Sequence, residues 1–288
     1  GSIRLRRINS GPLWLNSDNV KKHTLDRRLR EHAAHQKMKQ FMPPIHTLAV
    51  IPARLASTRL PRKVLREIAG KPMLQWIVEA AFDAPRLDRV VIATDSPEVM
   101  TLAAEHGWEA MMTSPDLQSG SDRVHAVSQQ IPSEIVVNIQ GDEPMLQPAH
   151  IDALLAPFDR AGIDAQVTTL WTACTPEEIA DPNAVKVVLA EDGRALYFSR
   201  STIPFHRDAA DSVTYRKHLG LYAYRRAALE RFAHLPPHPL EATERLEQLR
   251  LLAHNIPIYV EQTPYTTIGV DTEADLERVA KLLAKRQR

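Results

Sequence analysis

Three observations predict an α/β fold built on a doubly wound, mostly parallel central sheet flanked by helices. Short apolar runs alternate with amphipathic stretches, the runs lack the polar alternation of half-exposed strands, and chemically loaded loops follow where the runs end. In chain order, residues 48–52 (Leu-Ala-Val-Ile-Pro) read as a buried strand and residues 72–82 as a helix. A second strand is expected over 90–94, a second helix over 97–106, a further helix after Ser121, and an interior strand over 135–139. After about Ala165 the rhythm loosens. Strands are expected over 165–170, 185–189 and 218–224 with longer Pro-containing connections, and a helix over 240–252. The final helix is the clearest: Thr272 can cap it, and Leu276, Val279, Ala280 and Leu283 fall at i, i+3, i+4 and i+7. No internal repeat or low-complexity linker interrupts the pattern, so residues 46–288 are read as one domain carrying an inserted substrate-binding region.

Composition narrows the class. The single cysteine, Cys174, excludes an internal disulfide framework and a thiolate metal cluster, and fits a reducing, cytoplasmic setting. No stretch approaches the ~18 consecutive apolar residues of a spanning helix, so membrane insertion is not expected. The net charge of +1 hides a division. Residues 1–45 hold ten Lys/Arg against three acids, a balance of +7, which leaves 26 basic against 32 acidic residues, or −6, for the remainder.

The basic arm at 1–45 is expected to be a tag or upstream segment. Gly1-Ser2 has the form of a tag-cleavage scar, the arm has no long apolar face, and Met42, just before Pro43-Pro44 and the first strand, is the expected natural start. The acidic balance of the remainder argues against a nucleic-acid binder.

The loop after the first strand, Pro52-Ala-Arg54-Leu-Ala-Ser57-Thr58-Arg59-Leu-Pro61-Arg62-Lys63, places three arginines and a lysine at the carboxyl edge of the sheet. Backbone N–H groups and cations there suit a polyphosphate, although the Walker and dinucleotide glycine patterns are absent and a solvated basic loop is the plain alternative. Two acids complete a constellation suited to metal-assisted phosphoryl or nucleotidyl transfer. Asp142, in Gln140-Gly-Asp142-Glu143-Pro144, follows an interior strand, and Asp271, in Ile268-Gly-Val-Asp271-Thr272, precedes the last helix. Mg²⁺ binds through one or two such carboxylates and shares its other positions with phosphate oxygens and water. Taken singly, each acid also fits an ordinary turn or cap.

An ordered series of blocks extends the pattern. Beyond the loop motif it comprises Gly70-Lys-Pro-Met73, Ala-Thr94-Asp95, Gln118-Ser119-Gly120, Gln140-Gly-Asp-Glu-Pro144, Asn183-Ala-Val-Lys186, Tyr197-Phe-Ser-Arg200, His218-Leu-Gly220 and Leu246-Glu-Gln-Leu-Arg250. Together they closely resemble the 3-deoxy-manno-octulosonate cytidylyltransferases, over roughly residues 48–283. The resemblance implies a single Rossmann-like nucleotidyltransferase domain with an inserted substrate-binding and dimerisation region, a homodimer, and transfer of CMP from CTP to the anomeric hydroxyl of 3-deoxy-D-manno-octulosonate (Kdo) for lipopolysaccharide biosynthesis, releasing pyrophosphate. Arg54 and Lys63 would hold the CTP phosphates, with Ser57 and Thr58 beside them. Ser119, Gly120, Arg123 and Gln140 would surround the cytidine and its phosphates, Asp142 and Asp271 would hold Mg²⁺, and Arg200, His218, Tyr222, Glu247 and Gln248 would surround Kdo.

One position departs from the family pattern: Arg62 stands where Gly is common. Tyr224 is read as a core aromatic. The competing readings are transfer to 8-amino-Kdo or another acidic sugar, which one amine against one hydroxyl leaves open, and a non-catalytic nucleotide-binding protein. A sialate enzyme fits less well, because its Gly-Gly-Ser-Lys-Gly type of loop is absent from Ala56-Ser-Thr-Arg59.

Overall fold

The computed structural model describes residues 45–55, 59–161, 164–208 and 213–286, so the arm up to Pro44 and the two loop residues Ser57 and Thr58 lie outside the described residues. The first strand, β1 (Thr47–Pro52), is apolar on both faces and lies at the middle of the sheet. The chain then runs through one 3-10 turn (Lys63–Leu65), a small hairpin of β2 (Glu67–Ile68) and β3 (Lys71–Pro72), α1 (Met73–Phe82), β4 (Arg89–Thr94), α2 (Pro97–His106), β5 (Ala110–Met112), α3 (Gly120–Gln130) and β6 (Ile135–Asn138). The second half adds α4 (Pro148–Ala161), β7 (Val167–Ala173), α5 (Pro176–Ala180), β8 (Lys186–Leu189), β9 (Ala195–Ser199), β10 (Arg216–Arg225), α6 (Arg226–Ala233), α7 (Pro239–Glu244), α8 (Gln248–Ala253), β11 (Ile258–Gln262) and α9 (Glu273–Arg286).

The main sheet runs β11-β7-β10-β6-β1-β4-β5, with β8 and β9 appended beside β10. β1 pairs in parallel with β4 and β6, β4 with β5, and β11 with β7. Along that seven-strand path β10 is the one reversed strand, antiparallel to β6 and β7, and the appended β8 and β9 pair antiparallel with β10 and with each other. Strand alternation divides the apolar residues between two cores. Ala49, Ile51, Val90, Ile92, Ile135 and Val137 pack on one face with side chains of α1, α2, α4 and α9. Leu48, Val50, Val91 and Val136 pack on the other with α3, α6 and α8. This helix–sheet–helix layering is what parallel strands need, because neither face can be left in water.

The expected elements appear with small boundary shifts, and α9 is capped as the sequence suggests: Asp275 N donates to Thr272 Oγ1 at 3.2 Å and Thr272 N to Asp275 Oδ2 at 2.9 Å. One expectation is corrected. Residues 240–252 are two helices, α7 and α8, because Arg245 is left-handed at φ 55° and its N–H closes α7 on Glu241 O. That turn aims Glu247 and Gln248 at the site described below. Helix α4 was not expected: Pro157 inside it removes a backbone donor and weakens the helical signal, yet Ile151, Leu154, Leu155 and Phe158 bury its apolar face.

Candidate active site

Parallel sheets present their loops at the carboxyl ends of the strands, and two cavities open there. The larger, about 620 Å³, is lined by Pro52, Arg54, Arg59, Lys63, Val64, Gly120, Arg123, Gln140, Gly141, Asp142 and Asp271. The smaller, about 210 Å³, is lined by Ser121, Asn138, Gln140, His218, Gly220, Tyr222, Tyr224, Phe232, Leu246, Glu247 and Gln248. Gln140 lines both and marks where they meet.

In the larger cavity, Lys63 Nζ donates to Asp142 Oδ2 at 2.6 Å and to Asp271 Oδ1 at 3.0 Å. Arg59 donates to the other oxygen of Asp271 at 2.8 Å. Burial pulls the Lys63 ammonium down, but the two carboxylates outweigh it and hold the group above its ordinary value. Two backbone contacts bring the acids together. Val270 N donates to Asp142 O at 2.9 Å, tying the segment before α9 to the loop after β6, and Gly141 lies against the end of β1 so closely that a Cβ on it would stand 2.3 Å from Pro52 O. Only glycine fits there. Arg54 faces the cavity, and among the described residues no hydrogen bond or ion pair engages it.

Arg62 adopts φ 60°, ψ 27°, the left-handed conformation that glycine favours, and precedes Lys63 at the start of the 3-10 turn. Its guanidinium pairs with Glu98 outside the cavity. The departure from the family pattern therefore keeps the backbone shape and directs the added cation away from the site.

Helix α3 starts at the cavity wall. Ser119 caps it, accepting from Asp122 N at 3.1 Å while Asp122 accepts from Ser119 N at 3.0 Å, so the first turn is fixed and Gly120 faces the cavity. Arg123 borders the cavity but is buried and committed, donating to Asp95 Oδ2 and Thr113 Oγ1, each at 2.6 Å. It braces this wall more than it offers a free charge.

The smaller cavity is built on one face of β10, where His218, Gly220, Tyr222 and Tyr224 alternate with the core residues Leu219, Leu221 and Ala223. Thr169 Oγ1 sits at a register irregularity between Leu219 and Tyr222, its single proton shared between Leu221 O at 2.7 Å and Leu219 O at 3.0 Å, which leaves its oxygen to accept from His218 Nε2 at 2.9 Å. His218 packs on Phe198 and Tyr222, and this enclosure pushes its imidazole down to about 3. The ring is neutral, so it offers a hydrogen bond and not a positive charge. Burial likewise raises the Tyr222 hydroxyl well above its ordinary value. Glu247 accepts from Ser121 at 2.7 Å and from Arg250 at 3.3 Å.

The structure does not bring Arg200 into the lining of either cavity. Its guanidinium donates to three backbone carbonyls, Glu244 O at 2.7 Å, Pro182 O at 3.0 Å and Arg245 O at 3.4 Å. It fastens the turn before Glu247 and Gln248, whereas the sequence suggests a direct partner for a carboxylate. Tyr224, read as core, is buried and also borders the cavity. Sequence reasoning missed Asn138, whose Oδ1 accepts from Gln140 at 3.3 Å and whose Nδ2 is buried without a partner at the cavity wall. It also missed Glu143, whose carboxyl burial pushes up to about 7, with the Asp142 charge adding to the effect.

The family model described as cytidylyltransferase matches residues 48–262. A 3-deoxy-manno-octulosonate cytidylyltransferase of Acidobacterium capsulatum is 61% identical over 247 residues, covering 86% of this chain and all of its own length. One from Koribacter versatilis is 53% identical, covering 84% of this chain and 92% of the relative. The solved structure of CMP:2-keto-3-deoxy-manno-octonic acid synthetase complexed with CTP superposes with a TM-score of 0.80 at 42% identity, over 84% of this chain and 99% of that one.

Proposed function

The chain belongs to the 3-deoxy-manno-octulosonate cytidylyltransferases, and on that premise we propose that it transfers CMP from CTP to the anomeric hydroxyl of Kdo, releasing pyrophosphate, for lipopolysaccharide biosynthesis. The observation that carries this reading is the pair of cavities meeting at Gln140, one lined by cations and two acids and the other by neutral donors, an acid and aromatic rings. The first suits a triphosphate and the second a polyhydroxylated sugar acid.

Both substrates are anions, so the hydroxyl nears the α-phosphate against like-charge repulsion. Arg54, Arg59 and Lys63 oppose that repulsion locally, although the chain beyond residue 45 is net acidic. The donor set fits Mg²⁺, because Asp142 Oδ2 and Asp271 Oδ1 both lie within 3.0 Å of one point, the Lys63 nitrogen. Bound by these two acids, Mg²⁺ would neutralise phosphate charge and polarise the α-phosphate. Lys63 would then turn from the acids to the phosphates. Gln140, which lines both cavities, would sit where nucleotide and sugar meet, and Asn138, His218 and Gln248 would offer hydrogen bonds to the sugar. We further propose a homodimer in the cytoplasm. The homodimer rests on membership of the family, and the cytoplasm on the availability of CTP there.

The test is pyrophosphate release measured with CTP, UTP and ATP against Kdo, 8-amino-Kdo and sialate. The expected pair is CTP with Kdo; activity only with another pair would replace the assignment. Asp142→Asn should abolish release at ordinary Mg²⁺ concentrations, and near-normal turnover would sink the metal role of that acid.

A further inference from the structure

Helices α3 and α6 meet outside the two cavities, and three metal-competent side chains converge at their junction. His125 projects from α3, Glu230 from α6, and His234 is the residue that ends α6, one turn beyond Glu230. His125 Nε2 lies 2.8 Å from Glu230 Oε2, and His234 Nδ1 lies 3.6 Å from Glu230 Oε1. One donor atom from each of the three falls within 4.8 Å of the others. The two imidazoles meet edge to face with centroids 5.8 Å apart. None of the three lines either cavity.

Donor chemistry selects the ion. Two imidazoles and a carboxylate form the three-ligand set of zinc sites that keep a fourth position open, with Zn–N and Zn–O distances of about 2.0–2.2 Å. Magnesium prefers oxygen ligands and retains its waters, so the nitrogens here disfavour it. Tetrahedral bonds of that length place ligand atoms roughly 3.3 Å apart. The present spacing extends to 4.8 Å, so binding would draw the three side chains closer together. Without an ion, hydrogen bonds hold the group together: Gln129 donates to Glu230 and lies 3.1 Å from His125 Nε2, and His234 Nδ1 donates to Glu230 O at 2.8 Å, contacts that the two ring nitrogens would exchange for the cation. His234 is largely exposed, which leaves a path for the ion and room for a water.

We propose that His125, Glu230 and His234 bind one Zn²⁺-class cation that clamps α3 to α6, separately from the carboxylates of the larger cavity. Both helices furnish walls of the smaller cavity, Ser121 from α3 and Phe232 from α6, so the clamp fixes the distance between those walls. The ion is a brace and takes no part in the transfer of CMP.

The proposal is tested by titrating ZnCl₂ into the full chain, freed of added polyhistidine and of metal, with saturating MgCl₂ present to occupy Asp142 and Asp271. Calorimetry and thermal unfolding are read together. The parent protein is expected to take up one more equivalent below ~10 μM than His125→Ala/His234→Ala, and only the parent should gain thermal stability from it. His23, His32 and His35 remain in both proteins, so the difference reports the helix junction alone. The exposed single variant His234→Ala, checked by circular dichroism and by Mg²⁺-supported turnover equal to the parent's, should bind that equivalent at least tenfold more weakly. Equal zinc uptake by parent and double variant, or no uptake by the parent at ~100 μM, would overturn the proposal. Binding is read without turnover, so its failure is distinct from failure of the assigned activity.

Discussion

Gly141→Ala isolates the contact that sets the position of Asp142. The added Cβ would stand 2.3 Å from Pro52 O and 3.4 Å from Pro52 C, both backbone atoms, where no rotamer change gives relief. Opening the contact to 3.0 Å moves the loop or the end of β1 by about 0.7 Å. Forced overpacking of this kind costs about 1–3 kcal/mol, and the upper end is expected because both partners are anchored: β1 lies between β4 and β6, and Asp142 O accepts from Val270 N. A misplacement near 1 Å lowers turnover on the order of 10²-fold, and the displaced residue is next to a proposed metal ligand. Urea unfolding at equilibrium gives the first quantity and continuous pyrophosphate release the second. Gly120→Ala is the stability control, since its Cβ would meet Pro52 Cγ at 3.4 Å, an ordinary contact with a side chain, and its stability should stay within about 1 kcal/mol of the parent. A Gly141→Ala protein with parental midpoint and turnover would refute the reasoning.

Arg62→Gly should leave stability unchanged or raise it by about 0.5–1 kcal/mol, because relief of the left-handed backbone is partly offset by the freer unfolded chain; a loss above ~1 kcal/mol in urea would show that the Glu98 pair matters more. His218 has a folded pKa near 3 against an ordinary 6.5, so below pH 6.5 the unfolded chain takes up a proton that the folded one refuses. Stability is therefore complete above pH 6.5 and falls toward pH 3, by about 2 kcal/mol at pH 5; His218→Gln should remove that share of the slope in pH-dependent urea titrations, and an unchanged slope would show that the ring does not resist protonation. Arg200→Ala should raise KM for the sugar several-fold while KM for CTP holds, since it frees the turn before Glu247; Arg200→Lys should not restore the parent, because an ammonium cannot span the carbonyls of Glu244, Pro182 and Arg245, and a full rescue would count against the fastening role.

What the sequence disclosed follows from the range of the interactions involved. Strands β1, β4 and β6 were legible because burial on both faces writes an unbroken apolar run, and α9 because cap and periodicity agree. The break between α7 and α8 was not, since Arg245 is not a residue that announces a left-handed turn; it is held there by Glu244, which accepts from Ser199 Oγ and Arg200 N across forty-odd positions of chain. The same holds in the site. Asp142 and Asp271 stand in motifs, but the contact that draws them to one lysine is between Val270 and the Asp142 carbonyl. Asn138 closes strand β6 and reads as an ordinary strand residue; its Nδ2, without a partner among the described residues, is what sets it apart at the wall of the smaller cavity beside Gln140. Arg200 shows the converse, a charged residue in a recognisable motif whose donors are spent on main-chain oxygens.

The single reversed strand carries a consequence for how this enzyme can change. On β10 the residues that border the smaller cavity and those that pack into the core on the opposite face are interleaved one by one, His218, Gly220, Tyr222 and Tyr224 against Leu219, Leu221 and Ala223. Deleting or inserting one residue within that strand would exchange the two sets, sending leucines toward the cavity and the histidine and tyrosines to the opposite face. Acceptor preference can thus drift here by substitution but not by changes in strand length. Variation in length among natural or engineered relatives should fall instead in the segments that flank β10, where ladder pairing imposes no parity.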